Sequence, residues 1–319
     1  MKKPDRVEEM LDRLAVLRRN PNQPGSLEEL KAALAGKVSL AVAKAAKIVA
    51  EARLAELTPE LLAAFDRLIT NPYKLDKGCG ALTEIVGALC ALEYSGLDVY
   101  RQGIRHRQIE GPNDVSVTLR VHSALGLAQT GHPDAPLDIV ELLQDSEPAA
   151  RAGAARALAL AAGQPGILAL RLKVLIGDPV PEVLGECFTG LLTADPRQSL
   201  PFVARYLDDP DPAVAEAAIL ALGELRQPRA FEILREKLER TTGGPLRRIL
   251  LLSIATQRLE PAISYLLSLV AGASAHTASE AIVALASIHR RDERIRSAVE
   301  SAVAQRSEDS LSDAFRTHF

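Results

Sequence analysis

Between Leu200 and Leu225 the apolar residues fall on one helical face twice in succession, and an acidic, proline-bearing turn separates the two runs. Leu200, Val203, Ala204 and Leu207 follow the i, i+3, i+4, i+7 spacing of an amphipathic helix. Val214, Ala217, Ala218, Ala221, Leu222 and Leu225 keep the same face. The connection Asp208-Asp209-Pro210-Asp211-Pro212 stops the first helix. Asp211 is placed to cap the free N–H groups of the second, and Pro212 sits at its first position, where no donor is needed. The stretch predicts a helix hairpin.

The hairpin recurs. With Leu222 as anchor, equivalent apolar residues fall at Leu125, Leu158, Leu191, Ile254 and Leu285, with successive spacings of 33, 33, 31, 32 and 31 residues. Asp145-Ser146-Glu147-Pro148, Asp178-Pro179-Val180-Pro181, Asp209-Pro210-Asp211-Pro212 and Thr242-Gly243-Gly244-Pro245 precede the second helices, and Pro59, Pro136, Pro165, Pro201, Pro228 and Pro261 mark starts of first helices. Weaker units across 27–57 and 58–96 bring the array to about eight hairpins. A hairpin this short cannot bury its apolar face alone, so neighbours stack into an all-α, right-handed solenoid of armadillo-like architecture. With no Trp and 3% aromatic residues, the core must come from Ala, Leu, Val and Ile, which suits closely packed helices.

The expected organisation is a capping helix from about Pro4 and a linker over 1–26, irregular hairpins with long loops over 27–134, regular hairpins over 135–290, and a capping helix with a tail over 291–319. In that tail Leu311, Phe315 and Phe319 recur at fourfold spacing and are read as packing residues.

The segment 207–225, with its Asp-Asp-Pro-Asp-Pro turn, Val214-Ala215-Glu216-Ala217-Ala218 and Ala221-Leu222-Gly223-Glu224-Leu225, resembles the repeat of bacterial HEAT-repeat proteins, the class called PBS-lyase HEAT-like. The resemblance runs from about residue 27 and is strongest over 135–262. It implies the helical solenoid and names no activity. Many such repeats carry an Arg after the Val of the turn motif; here the matching positions are Arg151, Leu184, Ala215 and Arg247, so a regular surface ladder is expected to be broken.

HEAT-like hydroxylases hold paired iron with His-Glu dipeptides, whereas none of the six histidines here precedes a Glu. Alkylbase DNA glycosylases of similar architecture need a basic, aromatic groove, and the net charge of -3 gives no cationic field for nucleic acid. Cys79, Cys90 and Cys187 match no disulfide framework or metal spacing and read as reduced core thiols of a cytoplasmic protein. His106, His122 and His132 follow no ligand pattern, so neither a metal nor a cofactor is expected. The start shows no secretion signal and no run is apolar enough to span a bilayer.

The stretch 71–114 departs most from the repeat, and its long loops around 71–80 and 108–114 are expected to lie side by side. Gly78-Cys79-Gly80 ahead of a helix, with Lys74 and Lys77, offers backbone N–H groups to a phosphate, although a plain glycine turn with Asp76 near the cap explains it as well. Arg101, Arg105, His106 and Arg107 form a local basic cluster for an acidic partner, against the plainer reading of a solvated helix face. No catalytic constellation emerges. The leading reading is a non-enzymatic scaffold that holds a protein or peptide along its concave side, with Arg120, Arg151, Glu182, Glu186, Glu216, Arg247 and Arg248 in the first turns of second helices as contact candidates. The alternative is an enzyme or accessory unit that binds a phosphate-bearing or bilin-like ligand through 71–114, as the bilin lyases of the same repeat class do.

Overall fold

The computed structural model describes residues 6–161, 163–306 and 308–319. Among them every regular element except two short strands is helical, and the chain divides into two units, Met1–Ala169 and Leu170–Phe319. The fold is an all-α solenoid.

The first unit opens with α1 (Arg6–Arg19), then α2 (Ser26–Leu34), α3 (Ser39–Ala52), α4 (Thr58–Ile69), the single turn α5 (Pro72–Leu75), α6 (Gly80–Ala91), α7 (Leu97–Arg105), α8 (Val117–Gln129), α9 (Ala135–Val140) and α10 (Pro148–Leu160). α11 (Gln164–Ile176) follows. Hairpins pair α2 with α3, α4 with α6, α7 with α8, and α9 with α10. The second helices α3, α6, α8 and α10 pack on one another in turn, and α1 packs on α3 as a cap. The expected helix start at Pro4 lies outside the described residues. Between α7 and α8 the loop folds back as two short antiparallel strands, β1 (Ile109–Glu110) and β2 (Asn113–Asp114), with Gly111 at φ +62° in the turn.

The second unit runs α12 (Pro181–Ala194), α13 (Pro196–Val203), α14 (Pro212–Glu224), α15 (Pro228–Arg240), α16 (Pro245–Thr256), α17 (Glu260–Gly272), α18 (Ala275–His289), α19 (Glu293–Ala304) and α20 (Asp309–His318). Here α12, α14, α16, α18 and α20 form the second-helix layer. The C-terminal tail is thus a further hairpin: α20 packs on α18, with Leu311 buried and Phe315 stacked on Phe319 at 5.5 Å between ring centroids. Ser307, between these last helices, is outside the described residues.

Turn chemistry sets the register. The Asp114, Asp145, Asp178 and Asp209 carboxylates each accept the N–H two residues on, at 3.0, 2.9, 2.9 and 3.0 Å. Counting the same thirteen positions from each turn Asp gives Leu127, Leu158, Leu191 and Leu222, all buried. The expected anchor Leu125 is therefore corrected to Leu127, because Leu125 is only half-buried and the turn before α8 carries no proline to mark its phase. Pro148, Pro181, Pro212 and Pro245 open their second helices as expected. Pro201 does not open α13: the Asp195 side chain accepts the Gln198 N–H at 3.0 Å and starts the helix at Pro196, which leaves Pro201 inside it.

Candidate functional site

The arginines expected on an open concave wall divide into structural and exposed sets. Arg120, Arg151 and Arg247 occupy one repeat position, seven residues before the buried anchors Leu127, Leu158 and Ile254. Arg120 is wholly buried, with Nη1 2.8 Å from Asp114 Oδ2 and Nε 3.0 Å from Asp145 Oδ2. Its Nη1 also donates to the Ser116 hydroxyl at 2.8 Å. Arg151 is buried and donates to the carbonyls of Asp145 and Ser146 at 2.9 and 3.2 Å. Arg247 donates to Thr241 O at 2.8 Å and lies 3.3 Å from Glu280 Oε2, with little of its side chain exposed. The expectation that these three present themselves to a partner is corrected. The position points into the turn, where a guanidinium's several donors meet the carbonyls that end the first helix, joined by carboxylates at Arg120 and Arg247. The ladder is internal, which is why the apolar Leu184 and Ala215 stand at the same position.

The irregular segment does bring its two loops together. Gly78 N–H donates to Glu110 Oε1 at 2.8 Å, Gln108 Nε2 to Asp76 O at 3.0 Å, and Ile109 N–H to the Tyr73 hydroxyl at 3.3 Å. The phosphate reading of Gly78-Cys79-Gly80 does not survive these bonds. Cys79 N–H goes to Asp76 O, and Ala81 and Leu82 N–H go to the Asp76 carboxylate at 3.0 and 2.8 Å. The chain's own carboxylates fill the place of an anion, and Lys74 and Lys77 stand outside, exposed. Burial raises the Asp76 carboxyl, whereas the Gly78 N–H and Gln108 amide hold Glu110 below the usual range. The three thiols are quiet: burial raises Cys79 and Cys187 to about 12 and Cys90 to about 11.

Arg101 Nε and Arg105 Nη2 grip the two oxygens of Asp138 at 2.9 and 2.8 Å, and Arg107 Nη2 meets the buried Asp145 at 2.6 Å. These cations are fixed by acids of the following hairpin, yet Arg105 and Arg107 stay about half exposed. A shallow cleft of about 610 Å3 opens beside them, lined by Ile69, Asp98, Arg101, Gln102, Arg105 and His106.

In the second unit the second-helix layer carries two grooves on the same face. Between α12 and α14 a groove of about 400 Å3 is lined by Glu182, Glu186, Glu216 and Glu224 around a floor of Gly185, Ala217 and Leu220. Between α16 and α18 a second, of about 440 Å3, is mostly apolar, with Leu252 and Val283 on its walls and Arg248 and His276 at its edge. Leu220, Leu252 and Val283 each lie two residues before an anchor. Sequence reasoning placed Glu182, Glu186, Glu216 and Arg248 near this face, but it missed Glu224 and the apolar trio, having assigned repeat-phased aliphatics to the core. The available signal was the step of two from the anchor, which turns a helical residue by about 200° from the buried line.

Among the described residues no group of His, Cys, Asp and Glu is placed to hold a metal ion, and no helix is long and apolar enough to cross a membrane.

Residues 168–255 match the family model for HEAT repeats. No curated protein matches the chain. Among solved structures it is similar to the complex of CpcE and CpcF of phycocyanin lyase from Nostoc sp. PCC7120, at 18% identity over 75% of this chain and 94% of the other, with a TM-score of 0.39. It is also similar to an engineered protein, at 17% identity over 99% and 95% of the two chains and a TM-score of 0.37. A third likeness is to human deoxyhypusine hydroxylase in complex with glycerol, at 19% identity over 80% and 91% and a TM-score of 0.32. Repeat period, turn chemistry and helix layering are those of a helical-hairpin solenoid, and within it residues 168–255 carry the match to HEAT repeats.

Proposed function

We propose that the protein is a non-enzymatic scaffold that binds a protein or peptide partner along its second-helix face. The observation that carries this reading is the pair of grooves on one face of the second unit, whose walls are built from equivalent, solvent-facing positions of successive helices. Solenoids gain specificity by varying such positions while the buried phase keeps the stack. Here Glu216 and Arg248 occupy one such position on α14 and α16, six residues before their anchors, with opposite charge. A mixture of signs favours a specific protein contact over a uniform polyanion.

The test is quantitative capture from lysate of the protein's own host, with wild type compared with Leu252→Asp/Val283→Asp and with Glu216→Lys/Arg248→Glu. One stoichiometric protein, recovered by wild type and lost with either variant at unchanged helicity, is the expected result. A partner that ignores both variants overturns the reading.

A second reading, a small-ligand role through 71–114, is favoured by the cleft beside Arg101, Arg105 and His106. It predicts a thermal shift with phosphate-bearing or tetrapyrrole compounds, since a ligand bound only to the folded state stabilises it, and that shift is lost in Arg101→Ala/Arg105→Ala.

A further inference from the structure

The two grooves of the second unit differ in charge but share a geometry. Leu220 on α14 and Val283 on α18 are 43% and 38% exposed, and Leu252 on α16 lies between them in chain order at the same repeat position, half-buried. Together they form an apolar stripe that crosses three neighbouring second helices. At the α12/α14 end the stripe is flanked by Glu182, Glu186, Glu216 and Glu224, and no cationic residue lines that groove. At the α16/α18 end the flanking cation is Arg248, while the acid there, Glu280, lies against Arg247 at 3.3 Å and the His276 ring at 3.6 Å.

We propose that this stripe docks one helical segment of a partner, apolar once per heptad and basic at the end that lies over α12 and α14. The proposal rests on the scaffold reading above and gives its partner a chemistry and a direction. Packed neighbouring helices stand about 8–10 Å apart, and a helix advances about 10.5 Å in seven residues. An apolar residue in each heptad therefore meets Leu220, Leu252 and Val283 in turn. Charge complementarity fixes the orientation: lysines or arginines over Glu182, Glu216 and Glu224 gain attraction, whereas basic residues at the other end face Arg248. A docked helix also covers leucine and valine surface that is otherwise wet.

The probe is a fluorescein-labelled helical peptide of about three heptads with one Leu per heptad and lysines confined to one terminal heptad. Controls replace the lysines by glutamates, or the leucines by serines. Fluorescence anisotropy is read against the full chain as wild type, Glu182→Lys/Glu216→Lys, Leu252→Asp, and the control Glu56→Lys, an exposed residue of the first unit. The lysine peptide is expected to bind wild type and Glu56→Lys alike, and to bind Glu182→Lys/Glu216→Lys and Leu252→Asp at least about tenfold more weakly. Both control peptides are expected to lose binding to wild type by a similar factor. Equal binding of lysine and glutamate peptides, indifference to Glu182→Lys/Glu216→Lys, or no binding of the lysine peptide overturns the proposal. Circular dichroism of each variant separates lost binding from lost fold. A native partner captured as above that responds to Leu252→Asp/Val283→Asp but not to Glu182→Lys/Glu216→Lys overturns this inference while the scaffold reading stands.

Discussion

The guanidinium of Arg120 and the carboxylate of Asp145, 25 residues apart and both without solvent exposure, meet at 3.0 Å from the turns of successive hairpins. Asp114 approaches the same guanidinium at 2.8 Å, and Arg107 approaches the same Asp145 from outside at 2.6 Å. One buried cation thus ties the turn before α8 to the turn before α10. It is a register device: the acid that closes one turn is held by the arginine of the preceding repeat.

Arg120→Met is predicted to lower stability by about 3–5 kcal/mol, because it leaves Asp114 and Asp145 buried with less compensation. Arg107→Met, which removes a half-exposed partner of the same Asp145, should cost about 1 kcal/mol or less. Urea melts followed by far-ultraviolet circular dichroism compare the two; equal losses would show that the buried arginine is not the element that holds the turns. Urea is preferable to guanidinium chloride, which screens charge.

The period, the turn prolines, the helical class and the adjacency of the 71–80 and 108–114 loops were legible because each is written in local residue choice. What escaped was direction. Arg120, Arg151, Glu216 and Arg248 all sit in the first turns of second helices, and sequence alone treats them alike. Whether such a residue points into the turn or into solvent depends on a step of one residue, about 100° of helix. Arg247 turns inward to Thr241 O and Glu280 while its neighbour Arg248 faces out. The phosphate reading of Gly78-Cys79-Gly80 failed for another reason: Glu110, 32 residues away from Gly78, supplies the acceptor. No local pattern announces a carboxylate that arrives from the next hairpin.

The Asp114 carboxyl is raised by burial, but the Ser116 hydroxyl and N–H and the Arg120 guanidinium outweigh this and hold it below the usual carboxylate value. A folded-state value below the unfolded one means that the stabilisation is fully present above the unfolded value and drains away as pH falls through the folded one. Stability of wild type is therefore expected to decline from about pH 4 downward, and Asp114→Asn, which is less stable at pH 7, should decline less steeply there. Asp76 works the other way. Burial raises its folded value, so protonation on descent through that value favours the folded state. Asp76→Asn should therefore remove a gain that wild type makes on descent towards about pH 4, whereas Asp114→Asn flattens the limb below it. Urea midpoints collected from pH 7 to 3 give both slopes, and parallel curves for the two variants would refute the assignment.

Thiol chemistry gives a sharp check on the packing. With Cys79 and Cys187 raised to about 12 and Cys90 to about 11, the thiolate fraction at pH 8 is about a thousandth or less. The native protein should react with an aromatic disulfide reagent far more slowly than the unfolded chain, in which all three cysteines titrate at once. A fast phase in the native protein would mean that one of these helices opens readily. Cys90, whose thiol faces His122 O at 3.4 Å and is only partly buried, is the one expected to react first.

Two glycines of the second-helix layer should respond oppositely to alanine. A Cβ on Gly223 of α14 would stand 2.8 Å from Ser253 Cβ, 2.9 Å from Ser253 Cα and 3.0 Å from Ser253 O on α16. The obstacle is backbone, so α14 and α16 must separate, at about 1–3 kcal/mol, more than the roughly 1 kcal/mol that alanine gains by helix propensity. Gly185 of α12 meets only Ala217 Cβ, at 3.4 Å, an ordinary contact. Gly185→Ala is therefore expected to keep or raise stability, by up to about 1 kcal/mol, while adding a methyl group to the floor of the acidic groove. Ser253→Gly should rescue Gly223→Ala only in part, because it removes the Cβ obstacle and leaves Cα and the carbonyl in place. If Gly223→Ala melts like wild type, the close approach of α14 and α16 is not what fixes their spacing. The pair also separates stability from recognition: a variant that is as stable as wild type yet binds the lysine peptide less well would locate the peptide on the floor between α12 and α14.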